Sequence, residues 1–175
     1  NARSLSDAIP LNGFVNNIIA SKIQNIPGTV VFMTQNLDVV PHALLHSIKH
    51  YKALHERIVL ATVVTTDEPH VDEGSRVAVK AIGNRFFTVH VFYGFMEQPD
   101  LPAALAHCAA QGLVLDLMDT SFFLGRETLI PKMGSAMPLW REKLFIAMFR
   151  NAGSASAYFK LPPNRVVELG AQVVL

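Results

Sequence analysis

The sequence predicts an α/β fold: a mixed β-sheet with flanking helices, starting with a βαβ unit. Two short segments, 29–34 and 58–65, are rich in apolar and β-branched residues, which is typical of strands buried on both faces. The segment between them has apolar residues at helical spacing, so a strand, a helix and a second, parallel strand are predicted. Two alternating segments around Gly83-Asn84 predict a β-hairpin.

Each element follows from its own local pattern. An apolar stripe that begins near Pro10 predicts an amphipathic helix over about 10–24, which Pro27-Gly28 ends. Residues 1–26 are therefore predicted as a linker with an amphipathic helix, and 27–175 as a single α/β domain of about five to seven strands and three main helices. Within that domain we predict, in order, a strand at 29–34, a helix at 41–54, strands at 58–65, 76–82 and 85–93, a helix at 99–111, a strand at 121–130, a helix at 138–150, and a tail at 165–175 that forms two short strands bent at Gly170.

The composition limits the class of protein. Apolar residues make up 50% of the 175-residue chain and charged residues 17%, whereas a typical soluble domain has about a quarter charged residues. The surplus predicts an apolar surface that something else covers, and we expect a homodimer that uses the helix at 11–23 and the tail at 166–175. Cys108 is the only cysteine, which excludes an internal disulfide and favours a reducing, cytosolic compartment.

The charge distribution argues against nucleic acid as a partner. The chain carries a net charge of +1 at pH 7, and its first 125 residues sum to −3 while its last 50 sum to +4. Nucleic-acid-binding domains usually show stronger and more clustered basicity. We therefore predict no nucleic-acid partner.

Several specific strings carry a resemblance to a known family. They are PHALLH at 41–46, SFFLGRETLIP at 121–131 and FKLPPNRVVELG at 159–170. With their flanking segments, they make the chain from Ile26 to Leu175 resemble the carboxy-terminal cytoplasmic domain of the bacterial Kup (KUP/HAK/KT) potassium uptake transporters.

The resemblance implies a potassium:proton symporter whose membrane helices precede a cytosolic tail. The partner of this domain is then the membrane-embedded part of the same polypeptide, which handles potassium and protons, and residues 1–26 follow the last membrane span. The fragment would lie at the cytoplasmic side of the cell membrane and serve assembly and regulation of the transporter. The resemblance names no transport residue in this chain, because in this family those residues lie on the membrane helices.

Histidines recur every four residues at His42, His46 and His50, so they share one face of the predicted helix. A pair at this spacing is a known zinc-ligand geometry. The third histidine lies too far along the helix to share an ion with the first, and the sequence places no cysteine or carboxylate beside them. We predict a polar helix face, no metal site and no cofactor.

Catalytic patterns are absent from the sequence. There is no G-x-S-x-G elbow for a nucleophilic serine, and Cys108 lies within a predicted helix, where the adjacent His107 does not face it. Cys108 is predicted to pack as a small apolar side chain. We predict that the chain is not an enzyme.

Four arginines in the basic last third are candidates for binding an anion. Guanidinium groups match phosphate geometry, and arginine clusters are common at regulatory sites. No glycine-rich phosphate-binding motif accompanies them. The alternative function is thus an anion- or nucleotide-sensing regulatory domain, with candidate residues Arg126, Arg141, Arg150 and Arg165.

Overall fold

A computed structural model describes residues 9–19, 23–130 and 155–174, and these form an α/β domain around one six-stranded sheet. The apolar runs and alternating segments of the sequence form the strands, and the segments with helical period form helices between them. The elements are α1 (Leu11–Ile19), β1 (Gln24–Met33), α2 (His42–Tyr51), β2 (Ala53–Thr66), β3 (Val77–Ile82), β4 (Phe86–Gly94), α3 (Leu101–Ala106), β5 (Thr120–Ile130), α4 (Ala155–Tyr158) and β6 (Val166–Val174).

The strand order in the sheet is β3-β4-β2-β1-β5-β6. Strands β1, β2, β4, β5 and β6 all run parallel, and only β3 is antiparallel, paired to β4 through the predicted hairpin. The predicted mixed sheet with flanking helices is therefore confirmed. The chain passes from β1 through α2 to β2, its parallel neighbour.

The core consists of two apolar layers, one on each face of the sheet. On one face, α1 and α2 cover alternate strand residues such as Val30, Phe32 and Leu60. On the other face, α3 and the following 3₁₀ turn cover the residues in between, such as Val31 and Val59. Because successive side chains of a strand point to opposite faces, a continuous apolar run supplies both layers.

Helix α1 is part of this core. Leu11 and Val15 are buried, Phe14 packs edge-on against Phe86, and the backbone N–H of Leu11 donates to the carbonyl of Asp38. The apolar stripe predicted as one of two dimer surfaces thus faces this chain's own sheet. Among the described residues, none forms a helix long and apolar enough to cross a membrane.

The first strand begins earlier than predicted, at Gln24 rather than at residue 29, and it passes through Pro27-Gly28. The register with β2 shifts between Ile26 and Thr29, and pairing with β5 begins only at Thr29. Pro27 is tolerated there because it lies at a bulge and precedes the point at which β1 begins to pair with β5. Gly28 has φ +96°, which completes the irregularity.

The other element ends also differ from prediction. Helix α2 stops at Tyr51 because Lys52 adopts a left-handed conformation with φ 51°, and Leu54 is a buried strand residue. The tail is one strand, not two, because Gly170 pairs in register with Arg126 and β6 continues through it. Beyond α3, the predicted helix continues only as a 3₁₀ turn that ends at Gly112. The helix predicted at 138–150 lies outside the described residues.

Candidate functional site

The strand order has a switch point between β1 and β5. The strand that follows β1 in the chain, β2, lies on one side of this pair, whereas the strand that follows β5, β6, lies on the other side. Where neighbouring parallel strands are connected in opposite directions, a crevice opens beyond their carboxyl ends, and α/β proteins commonly bind ligands there. The last β1–β5 pair is Met33 with Leu124, so the crevice that this topology predicts begins just beyond these residues.

A short polar turn follows β1 at this position. The hydroxyl oxygen of Thr34 accepts a hydrogen bond from the N–H of Asn36 at 3.2 Å, and the side-chain oxygen of Asn36 accepts one from the N–H of Asp38 at 2.9 Å. These bonds fix the turn that leads to α2, which begins at His42 without a side-chain cap. The first backbone N–H groups of an uncapped helix are available to an external acceptor such as a phosphate oxygen.

The structure separates the arginines that sequence analysis grouped. Arg126 lies in β5, two residues beyond the last pair with β1, so its backbone is at the crevice. Arg165 precedes β6, five residues before Gly170, which is the register partner of Arg126; these two backbone positions are therefore about 17 Å apart along the strands. Arg141 and Arg150 lie outside the described residues.

The three histidines of α2 do share one face. The rings of His46 and His50 are 4.3 Å apart and those of His42 and His46 are 6.4 Å apart, measured between centroids. The Nδ1 atom of His46 is buried and has no hydrogen-bond partner within the described residues. In that part of the chain, no three His, Cys, Asp or Glu side chains are grouped to hold a metal ion.

Cys108 and His55 are shaped by burial. Cys108 is a buried core residue of the 3₁₀ turn that follows α3, and burial raises the pKa of its thiol to about 11, so the thiol stays protonated and non-nucleophilic at neutral pH. Burial also lowers the pKa of His55, and the nearby Arg85 adds to this shift. The guanidinium of Arg85 donates to the carbonyl of His55 at 2.7 Å, which ties β2 to the hairpin end.

A partly buried ion pair that the sequence analysis did not find lies at the carboxyl end of β4. Arg76 and Glu97 form two parallel hydrogen bonds of 2.7 and 2.9 Å, and their side chains are only 11% and 17% exposed. The guanidinium also donates to the carbonyls of Val71 and Phe92, and it lies 4.8 Å from the ring centre of Tyr93. No local pattern predicts this pair, because 21 residues separate its members.

Glu97 accepts two further hydrogen bonds, from the N–H groups of Gly94 at 2.6 Å and Val71 at 3.2 Å. The hydrogen bonds from Arg76 are the main reason why its pKa falls to about 2, and the bond from Gly94 adds to this. The carboxylate therefore holds together the end of β4 and the loop 67–76, which crosses over that end. We call this arrangement the Arg76–Glu97 clasp.

Comparison with known proteins identifies the family. The profile of the K+ potassium transporter C-terminal domain matches residues 27–175. This α/β chain therefore belongs to that family of carboxy-terminal transporter domains.

Among its relatives, the chain is 59% identical over 173 residues to the probable potassium transport system protein Kup 3 of Dechloromonas aromatica strain RCB, covering 99% of this chain and 28% of that protein. It is 58% identical over 175 residues to the probable potassium transport system protein Kup of Azoarcus sp. strain BH72, covering 100% of this chain and 27% of that protein. The chain thus spans just over a quarter of the length of these relatives, and no solved structure matches it.

Proposed function

We propose that this chain is the cytosolic regulatory and assembly domain of a potassium:proton symporter that takes up potassium. The match of the family profile over 27–175 carries the proposal, together with relatives that are named as potassium transport proteins and are nearly four times as long. The membrane-embedded part of the same polypeptide is then the partner of the domain. Potassium and protons pass through that part, so this domain acts on transport rather than conducting it.

The experiment compares the complete transporter with a version that lacks this domain, in cells without other potassium uptake. If the complete protein takes up rubidium and a protonophore abolishes this uptake, the symport proposal is supported. If the complete protein takes up no rubidium, the proposal is wrong. A truncated protein that still inserts into the membrane but has an altered rate or stability supports the regulatory and assembly role. If truncation changes neither, that role is wrong.

The assembly role involves self-association through β6. This strand is at one edge of the six-stranded sheet, and it pairs with β5 on its other side. An edge strand presents backbone N–H and C=O groups that a second copy can pair with, and Val167 is 41% exposed there. Because α1 packs internally, β6 is the better of the two dimer surfaces predicted from the sequence.

Mass measurement of the chain over a dilution series tests the dimer. Val167→Lys is expected to shift the equilibrium to monomer, since it places a charge in the interface. Met118→Lys is the matched control, because Met118 is also an exposed apolar residue, at 75%, but lies in the 3₁₀ turn before β5 and is not part of the edge strand β6. A chain that is monomeric throughout, or a dimer that both variants leave intact, contradicts this surface.

The alternative proposal is an anion- or nucleotide-sensing function, and the crevice between β1 and β5 favours it. The crevice has the position of ligand sites in doubly wound sheets, an uncapped helix start beside it and the Arg126 backbone on its β5 side. Calorimetric titration with nucleotides and with inorganic phosphate tests this. Arg126→Gln is expected to weaken binding and Arg165→Gln to leave it unchanged, and equal effects of both variants would argue against a site in the crevice.

A further inference from the structure

Two large apolar side chains occupy the tip of a tight turn after β4. The N–H of Glu97 donates to the carbonyl of Gly94 at 3.0 Å, which makes 94–97 a β-turn with Phe95 and Met96 at its two central positions. These positions usually carry Gly, Pro, Asn, Asp or Ser. Phe95 is nevertheless 59% exposed and Met96 66% exposed, so neither supplies much core packing.

The turn is held rigidly. The N–H groups of Phe95 and Met96 donate to the carbonyls of Glu68 and Pro69 at 2.9 and 3.2 Å, and the clasp fixes the last residue of the turn. Apolar anchors on a pre-ordered backbone lose little conformational entropy when a partner binds. Phenylalanine and methionine are also enriched at protein interfaces. The turn therefore has the properties of a docking site rather than of a solvated loop.

Acidic residues are frequent in the loop that is hydrogen-bonded to this apolar tip. The loop 67–76, which is hydrogen-bonded to the turn, carries four exposed carboxylates, and none of them forms an ion pair with another described residue. The only lysine or arginine of this loop, Arg76, is already paired with Glu97. We call this the acidic–apolar surface, and its residues are Phe95, Met96, Asp67, Glu68, Asp72 and Glu73.

We propose that the acidic–apolar surface docks a basic, apolar segment on the cytoplasmic side of the transporter's own membrane-embedded part. This proposal rests on the proposed function. The charge selects the occupant, because four unpaired carboxylates attract lysine and arginine and are repelled by anionic lipid head groups. The cytoplasmic loops of membrane proteins carry an excess of lysine and arginine. Nearly three quarters of the length of the relatives lies outside this chain, so such loops are available in the same polypeptide.

The test uses the complete transporter in its membrane, with a photo-crosslinking residue introduced as Met96→p-benzoylphenylalanine. Crosslinked peptides are identified by mass spectrometry. The expected product joins Met96 to a lysine- or arginine-rich segment of the membrane-embedded part. Met118→p-benzoylphenylalanine is the matched control and is expected not to give this product, since Met118 has two acidic neighbours in the sequence, Asp116 and Asp119, against the four carboxylates of 67–73.

Charge reversal provides the second arm. The combined change Asp72→Lys and Glu73→Lys is expected to lower the yield of this crosslink roughly tenfold, because like charges then face each other. Glu56→Lys, another exposed carboxylate, is expected to leave the yield unchanged. Crosslinks only to lipid or to a second copy of this domain, or a yield no higher than at Met118, overturn the docking proposal. Crosslinking requires no transport, so failure of potassium uptake with a normal crosslink contradicts the proposed function alone.

Discussion

Replacement of Gly94 is the most direct test of how the crossing loop packs against the carboxyl end of β4. A Cβ at this position would lie 2.5 Å from the backbone nitrogen of His70 and closer still to the carbonyl group of Pro69. These are backbone atoms of the crossing loop, so they cannot rotate away as a flexible side chain does. Gly94→Ala must therefore displace the loop that the clasp holds.

The cost follows from what the displacement breaks. Overpacking of this kind costs about 1–3 kcal/mol. Moving Glu68 and Pro69 also strains their hydrogen bonds with the N–H groups of Phe95 and Met96, at about 1 kcal/mol each. We expect Gly94→Ala to lower the free energy of unfolding by about 3–5 kcal/mol, a large part of the 5–15 kcal/mol typical of a domain.

Urea denaturation of the 175-residue chain, followed by circular dichroism, measures this loss. Gly74→Ala is the matched control, because Gly74 lies in the same loop and a Cβ there meets nothing within 4 Å. It is expected to change the stability by no more than about 0.5 kcal/mol. If Gly94→Ala is as stable as the wild type to within about 1 kcal/mol, the close approach of loop and strand is refuted.

Three further predictions concern single side chains. Folding lowers the pKa of Glu97 from 4.5 to about 2, so its ionised form stabilises the fold above pH 4.5, and this contribution is lost as the pH falls toward 2. The difference in the free energy of unfolding between wild type and Glu97→Gln should therefore shrink over that pH range, as measured by urea denaturation at a series of acidic pH values. Tyr93→Phe removes hydroxyl bonds to the carbonyl and N–H of Asp100, of 2.6 and 2.9 Å, and should cost about 1–2 kcal/mol, whereas Tyr158→Phe at an exposed ring should cost almost nothing. Cys108 should react with a thiol reagent only as fast as the domain opens, and rapid labelling of the folded chain would contradict its burial.

Local sequence patterns predicted the elements in which apolar residues recur with a clear helical or strand period. The buried strands, the hairpin and the fold class all follow from apolar runs and alternation, which record how each segment is buried. Gly170 shows the limit of local reading: a glycine favours a bend in isolation, but pairing with β5 keeps the strand continuous. The early start of β1 through Pro27 depends likewise on a partner strand far along the chain.

The candidate sites were harder to predict because they depend on strand order. The arginines share a charge and a region of sequence, yet Arg126 lies in the middle of the paired β5 and β6 strands whereas Arg165 lies just before the first pair. The clasp joins residues 76 and 97 only because a loop crosses the end of β4. Phe95 and Met96 belong to the segment YGFMEQ, and the sequence alone does not mark them as unusual. They become unusual because the structure shows that they occupy the central positions of a turn.

The two proposed surfaces lie at the same edge of the sheet, because parallel strands end on one side. The acidic–apolar surface lies beyond β4, and the crevice lies beyond β1 and β5, with β2 between β4 and β1. The two sites are roughly 12 Å apart across the sheet at about 4.8 Å per strand, and β4 also extends five residues, about 17 Å, beyond the level of Met33 before it reaches Gly94. This separation exceeds the Debye screening length of ~8 Å at physiological ionic strength, so the carboxylates of 67–73 do not strongly repel an anion in the crevice. A basic membrane segment on one proposed site and an anion on the other are therefore compatible occupants.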